Sequence, residues 1–146
     1  MSEPTSDPLA AVLDTLIPAS EDGAMPGAGA IGLAAIVREK SETMADLVER
    51  GLEAADTHAR ERGAPSFAGL SLADRTAVLR ELETSEPGFV PGLVFQTFAA
   101  YYQHPRVLEA LGLEPRPPHP KGYELEAGDL GGLERVRARG RLYREA

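Results

Sequence analysis

The 146-residue chain contains no cysteine, which excludes disulfide staples, thiolate zinc sites and thiol nucleophiles. No apolar run approaches the ~18 residues that a membrane-crossing helix needs. The first residues, MSEPTSDPLA, show neither a basic start followed by an apolar stretch nor a twin-arginine pair. The expectation is a cytoplasmic protein without direct membrane insertion, export alongside a partner being the other route. Positive charge is also scarce: 15 Lys and Arg stand against 23 Asp and Glu, a net charge of −8. Nucleic-acid binding needs a basic footprint to neutralise phosphates, so no nucleic-acid partner is expected. Period-2 alternation is missing, and no repeat occurs at 20–50 residues.

What charge there is lies unevenly. Residues 1–60 carry 11 acids and 4 bases, whereas five arginines (Arg135, Arg137, Arg139, Arg141 and Arg144) crowd the last 14 residues. Such polarity can steer a partner, or simply solvate two faces of one protein. A chain of this length is one ordinary domain and can bury a core without staples.

Helix signals run through most of the chain. Asp7 is a good N-cap and Pro8 suits the first helical position. Leu9, Val12, Leu13 and Leu16 then share one face. Pro18 ends that helix, because the residue before a proline avoids the α region. A loop with Gly23, Pro26, Gly27 and Gly29 leads into a long helical pattern over about 30–62, with a break near Lys40–Ser41 or at Gly51. Gly63 and Pro65 stop it. Ser71 and Asp74 form a capping-box-like pair. The helix that follows presents Leu72, Leu79 and Leu82, with Val78 at the edge. Pro91 starts the most apolar helix, expected to be the core helix. His104 opens a short helix at Pro105, closed by Gly112, and Asp129 caps a last one carrying Leu133, Val136 and Tyr143. The fold class is all-α: an irregular bundle of five or six helices with a proline-rich C-terminal arm. Residues 1–6 are expected to be disordered, 7–112 to form the helical domain, and 113–146 an extended arm with a terminal basic helix.

Chemistry-bearing patterns are few. No two of His58, His104 and His119 are spaced i, i+4, and no HExxH is present, so a helix-borne zinc site is not expected. GAMPGAGAIG is glycine-rich ahead of a helix but matches neither phosphate-loop pattern and follows no strand. Phe95, Phe98, Tyr101 and Tyr102 read mostly as core, with one of the two adjacent tyrosines turned toward an interface. Residues 115–123, with four prolines, His119 and Tyr123, read as a stiffened arm that loses little entropy on docking. Arg137 and Arg141 share a helical face. A constrained loop without chemistry of its own, at 13–32, suggests a shape against which another protein docks.

Thr15–Gly32, TLIPASEDGAMPGAGAIG, resembles the opening of the gluconate 2-dehydrogenase subunit 3 family: an apolar helix, a TIIP-like turn (Thr15, Leu16, Ile17, Pro18), acids (Glu21, Asp22), then a Gly/Pro/Ala stretch. Phe67–Arg75 resembles the family's middle, and the aromatic helix ending at Tyr101-Tyr102 before His104-Pro105 resembles its end. The resemblance implies a small gamma subunit without catalytic, cofactor-binding or metal-binding residues of its own. Such a subunit binds a large FAD-dependent catalytic subunit of the glucose–methanol–choline type in a hetero-oligomer and stabilises it. FAD is then expected in the partner. Many members start with a twin-arginine signal, which is not seen here. The contact residues expected on this reading are Leu16, Ile17, Pro18, Tyr101, Tyr102, His119, Tyr123, Arg137, Arg141 and Tyr143. The rival readings are a free-standing helical binding or regulatory module and a small enzyme.

Overall fold

A computed structural model describes residues 7–116, 119, 121–122 and 124–140. It divides into a helical unit ending at Arg116 and a second unit from residue 117 onward. Residues 1–6, expected to be disordered, lie outside the described residues, as do Tyr123, Arg141 and Tyr143. The described residues form seven α-helices and short 3-10 turns, with no strand among them.

Helix α1 spans Pro8–Leu16. The Asp7 carboxylate accepts from the Leu9 N–H, and Pro8 fills the first position, where its missing N–H leaves no bond unmade. Leu9, Val12 and Leu13 are buried, while Leu16 is half-buried. The long helical pattern resolves into α2 (Leu33–Lys40) and α3 (Ala45–Glu61), with a 3-10 turn between them at Glu42–Met44. Of the two breaks that the sequence allowed, the chain uses Ser41. Gly51 stays inside α3, where the Phe89 ring lies against its α-carbon and leaves no room for a side chain. At the end of α3, Gly63 takes a positive φ, Ala64 N–H returns to the Ala59 carbonyl, and Gly63 N–H returns to that of Arg60. These are the paired bonds of a Schellman stop.

Ser71 caps α4 (Leu72–Ser85), accepting from the Asp74 N–H. The face of α4 differs from expectation: Val78 is buried with Leu79 and Leu82, and Leu72 is exposed. Leu72 is the first residue of the helix and lies before the stretch that reaches the core. Helix α5 spans Phe89–Tyr101 and starts two residues before Pro91. A proline in the first turn removes only an N–H that has no partner within the helix. Helix α6 (Pro105–Ala110) follows, with His104 Nδ1 accepting from the Arg106 N–H. Helix α7 (Glu134–Arg137) belongs to the second unit; its N-cap is Leu133, and Asp129, expected to cap the last helix, instead accepts from the Gly131 N–H in the 3-10 turn before it.

Helix α5 lies at the centre of the helical unit, packed against α1, α2, α3 and α4. Phe89, Leu93, Thr97 and Tyr101 on its inner side join Leu9, Leu13, Leu33, Val37, Phe67 and Leu82 in one core. Two ionic ties fasten the helices around it. Arg38 bonds both Asp7 and Glu49 and joins α2 to the α1 cap and to α3, and Arg62 meets Glu81 across α3 and α4. Among the described residues no helix is long and apolar enough to cross a membrane.

Candidate docking surface

The loop after α1 is tied down from several sides. The Asp14 carboxylate accepts from the Gly29 N–H at 2.8 Å, Ala28 N–H reaches the Ile17 carbonyl, and the Tyr101 hydroxyl donates to the Pro26 carbonyl at 2.7 Å. Within the loop Ser20 Oγ accepts from Met25 N–H, and Asp22 accepts from Ala24 N–H. The Ser20 hydroxyl, then the Ala24 amide, hold the Asp22 carboxyl below its usual pKa by stabilising the charged form. The glycines follow from close approach. A β-carbon on Gly27 would meet the Asp14 carboxylate, and one on Gly29 would meet both that carboxylate and the Ala10 carbonyl. The Gly/Pro/Ala composition therefore serves internal packing.

This geometry redistributes the expected contact residues. Tyr101 is only 1% exposed, with its ring in the core and its hydroxyl spent on Pro26, so it is not on the surface where a partner contact was expected. Burial raises its pKa above the usual phenolic value, and the neighbouring Tyr102 adds to the shift. Leu16 and Ile17 pack against the core and remain half-exposed, whereas Pro18 faces solvent. Pro18, Ala19, Gly27 and Ala30 line a shallow cleft with Asp14, Leu72 and Arg75. The two segments that resemble a known family, at 15–32 and 67–75, thus meet at one surface. Tyr102 is exposed. In the second unit His119 and Arg137 are exposed, and α7 carries Arg135 with Arg137.

The aromatic cluster expected to be mostly core is instead split by α5. Phe95, Phe98 and Tyr102 are 71%, 42% and 48% exposed. They recur at i, i+3 and i+7, one face of the helix. Phe98 and Tyr102 have ring centroids 6.1 Å apart, and Tyr102 stands edge-on to buried Tyr101 at 5.2 Å. Residues 87–105 carry no charged side chain. That absence of charge was readable in the sequence. Which aromatics turn outward was not, because the helix has only two polar side chains, Gln96 and Thr97, and one of them, Thr97, is buried.

The fold and this surface together define a small all-α protein whose distinctive features are a braced loop and an outward aromatic face. Residues 5–114 match the family model described as gluconate 2-dehydrogenase subunit 3, and the chain belongs to that family. The matched span covers nearly all of the helical unit and none of the second unit. A comparison with curated proteins and one with solved structures gave no match. The family's description is that of one subunit of a multi-subunit dehydrogenase complex.

Proposed function

We propose that this chain is the non-catalytic small subunit of a dehydrogenase complex, and that it binds and stabilises a large FAD-dependent catalytic subunit of the glucose–methanol–choline type. Family membership over residues 5–114 supports a place in such a complex. The observation that carries the docking role is the braced loop at 17–29, whose outer edge (Pro18, Ala19 and residues 21–24) is presented to solvent by bonds made within the chain. A surface already held in its bound shape loses little conformational entropy on association.

On this reading the flavin belongs to the catalytic subunit and supplies the hydride chemistry there. This chain acts through binding free energy. Obligate interfaces commonly bury more than ~2,000 Å². A partner that binds only the folded form stabilises it by RT ln(1 + L/Kd), with L the free partner concentration, so loss of the small subunit depletes the large one. The exposed arginines of α7 add a cationic contact from the second unit. The reading includes a cytoplasmic complex, checked by cell fractionation.

The test is affinity purification of the tagged full chain from its native host, with a visible absorption spectrum and mass spectrometry of the eluate. A yellow eluate with a large flavoprotein in equal amount is expected. A colourless, monomeric eluate overturns the proposal in favour of a free-standing binding module.

A further inference from the structure

Resting on the small-subunit reading, we propose that the outer face of α5, centred on Phe95, Phe98 and Tyr102, is the core of the contact with the catalytic subunit, and that the surface it meets there is apolar and uncharged.

A helix on the surface of a soluble protein is normally amphipathic, and one that is apolar all round is buried. Helix α5 has no charged side chain and only Gln96 and Thr97 as polar ones, yet the chain buries only its inner side, against α1 to α4. With aromatics at ~200 Å² each, the exposed fractions of the three rings amount to roughly 300 Å². That is the size of the largest apolar patch on a typical monomer, a patch that is often functional. Charged residues make up 26% of the chain, and none falls within 87–105. Depletion of Lys, Glu and Asp with enrichment of aromatics is the composition of an interface core. The rings are also set in place. Phe98 leans on Tyr102, and Tyr102 stands on Tyr101, itself held by the Pro26 carbonyl.

The charge distribution selects the occupant. Residues 1–116 hold 18 acids and 9 bases. A standard interface needs about 800 Å² on each side, so a pair of identical copies would have to draw more than half of its contact from two strongly acidic units. Their mutual repulsion opposes that pairing. An interfacial membrane helix needs basic residues beside its apolar face, and α5 has none. A different protein with an uncharged apolar surface fits both constraints, and the family's description as subunit 3 of a dehydrogenase implies that other subunits accompany this one.

The experiment compares full-length wild type with Phe95→Ser/Phe98→Ser, both tagged and purified from the native host. The flavoprotein in each eluate is measured by flavin absorbance and mass spectrometry, and the free chains by thermal melting and light scattering. The expected result is a variant that melts within a few degrees of wild type, stays monomeric, and retains at least about thirtyfold less flavoprotein, as for loss of an interface hot spot. Undiminished flavoprotein overturns the assignment of this face and leaves the small-subunit reading standing. A wild-type dimer that the variant dissolves also overturns it, in favour of a second copy as occupant. A wild-type eluate without flavoprotein overturns both. Should the double variant unfold, Phe95→Ser alone carries the same test, since that ring is the most exposed of the three.

Discussion

The loop at 17–29 and the outer face of α5 put unusual composition to opposite uses. The loop is dense in glycine, proline and alanine because its backbone runs hard against α1: Gly27 and Gly29 lie where any side chain would strike Asp14 or Ala10. Its hydrogen bonds tie it to Asp14 of α1, to Tyr101 of α5 and to its own backbone. The α5 face is dense in aromatics, and the chain leaves Phe95 mostly uncovered and Phe98 and Tyr102 partly so. One region is conspicuous because of contacts already made, and the other because of contacts left open. Changes to the residues that brace the loop should therefore show up in the stability of the free chain as well as in binding, and changes on the α5 face in binding alone.

Within the loop the largest effect is expected at Gly29. A methyl group there meets the Ala10 carbonyl, a backbone atom that cannot rotate away. Gly29→Ala is expected to cost about 2–3 kcal/mol, as for overpacking in a tight site, and to lower Tm by roughly 10 °C in a domain of this size. Thermal melting by circular dichroism checks it, and an unchanged Tm would mean that the loop is not braced against α1. Asp14→Ala comes next. It leaves the Gly29 N–H without its acceptor and should cost about 1–2 kcal/mol. Asp14→Asn keeps a carbonyl oxygen in place and should recover much of that loss in the same melt.

Tyr101→Phe removes one hydrogen bond, to the Pro26 carbonyl, at a cost of about 1 kcal/mol at neutral pH. Its pH dependence is more telling. The folded-state pKa of Tyr101 is raised above 10.0, chiefly by burial and then by Tyr102. A raised pKa means that the folded chain holds the phenolic proton longer than the unfolded chain does. The associated stability is fully present below pH ~10 and is lost as pH rises through the folded value. Denaturant titrations from neutral to alkaline pH should show wild type ahead of Tyr101→Phe at pH 7 and the gap narrowing above pH ~10. A gap that stays constant would place the ring in contact with water.

Helix ends were legible in the sequence because their chemistry is local. Asp7-Pro8, Ser71 with Asp74, and His104-Pro105 each cap a helix within a few residues. Pro18 and Gly63 act on their own backbone. Faces were harder to read. Along 89–102 nearly every side chain is apolar, so the period that separates inside from outside has no contrast, and Tyr101 and Tyr102 could not be told apart. Leu72 has the right residue type for the core but stands one turn too early. Gly51 looks like a breaker and is a seat for Phe89, a partner 38 residues away that local pattern cannot supply. Of the expected contact residues, Pro18 and Tyr102 are exposed, whereas Tyr101 is turned inward and Leu16 and Ile17 are half-buried. The lack of charge over 87–105 was the one signal that pointed to the α5 face.

The smallest expected effect tests the comparison hardest. Phe95 is 71% exposed, so Phe95→Ser removes a ring that is mostly in water in both the folded and unfolded chains. The change in unfolding free energy of the isolated chain should stay within about 0.5 kcal/mol, the range of ordinary surface substitutions. A buried phenylalanine cut to a small residue would instead cost about 3–5 kcal/mol, so the two cases separate cleanly in a denaturant titration. Phe89→Ala, at the fully buried end of the same helix, supplies the contrast within one element. If Phe95→Ser destabilises the free chain as much as Tyr101→Phe does, the outer face of α5 is already covered in the free protein. The division between a region that folds the chain and a region that waits for a partner then fails.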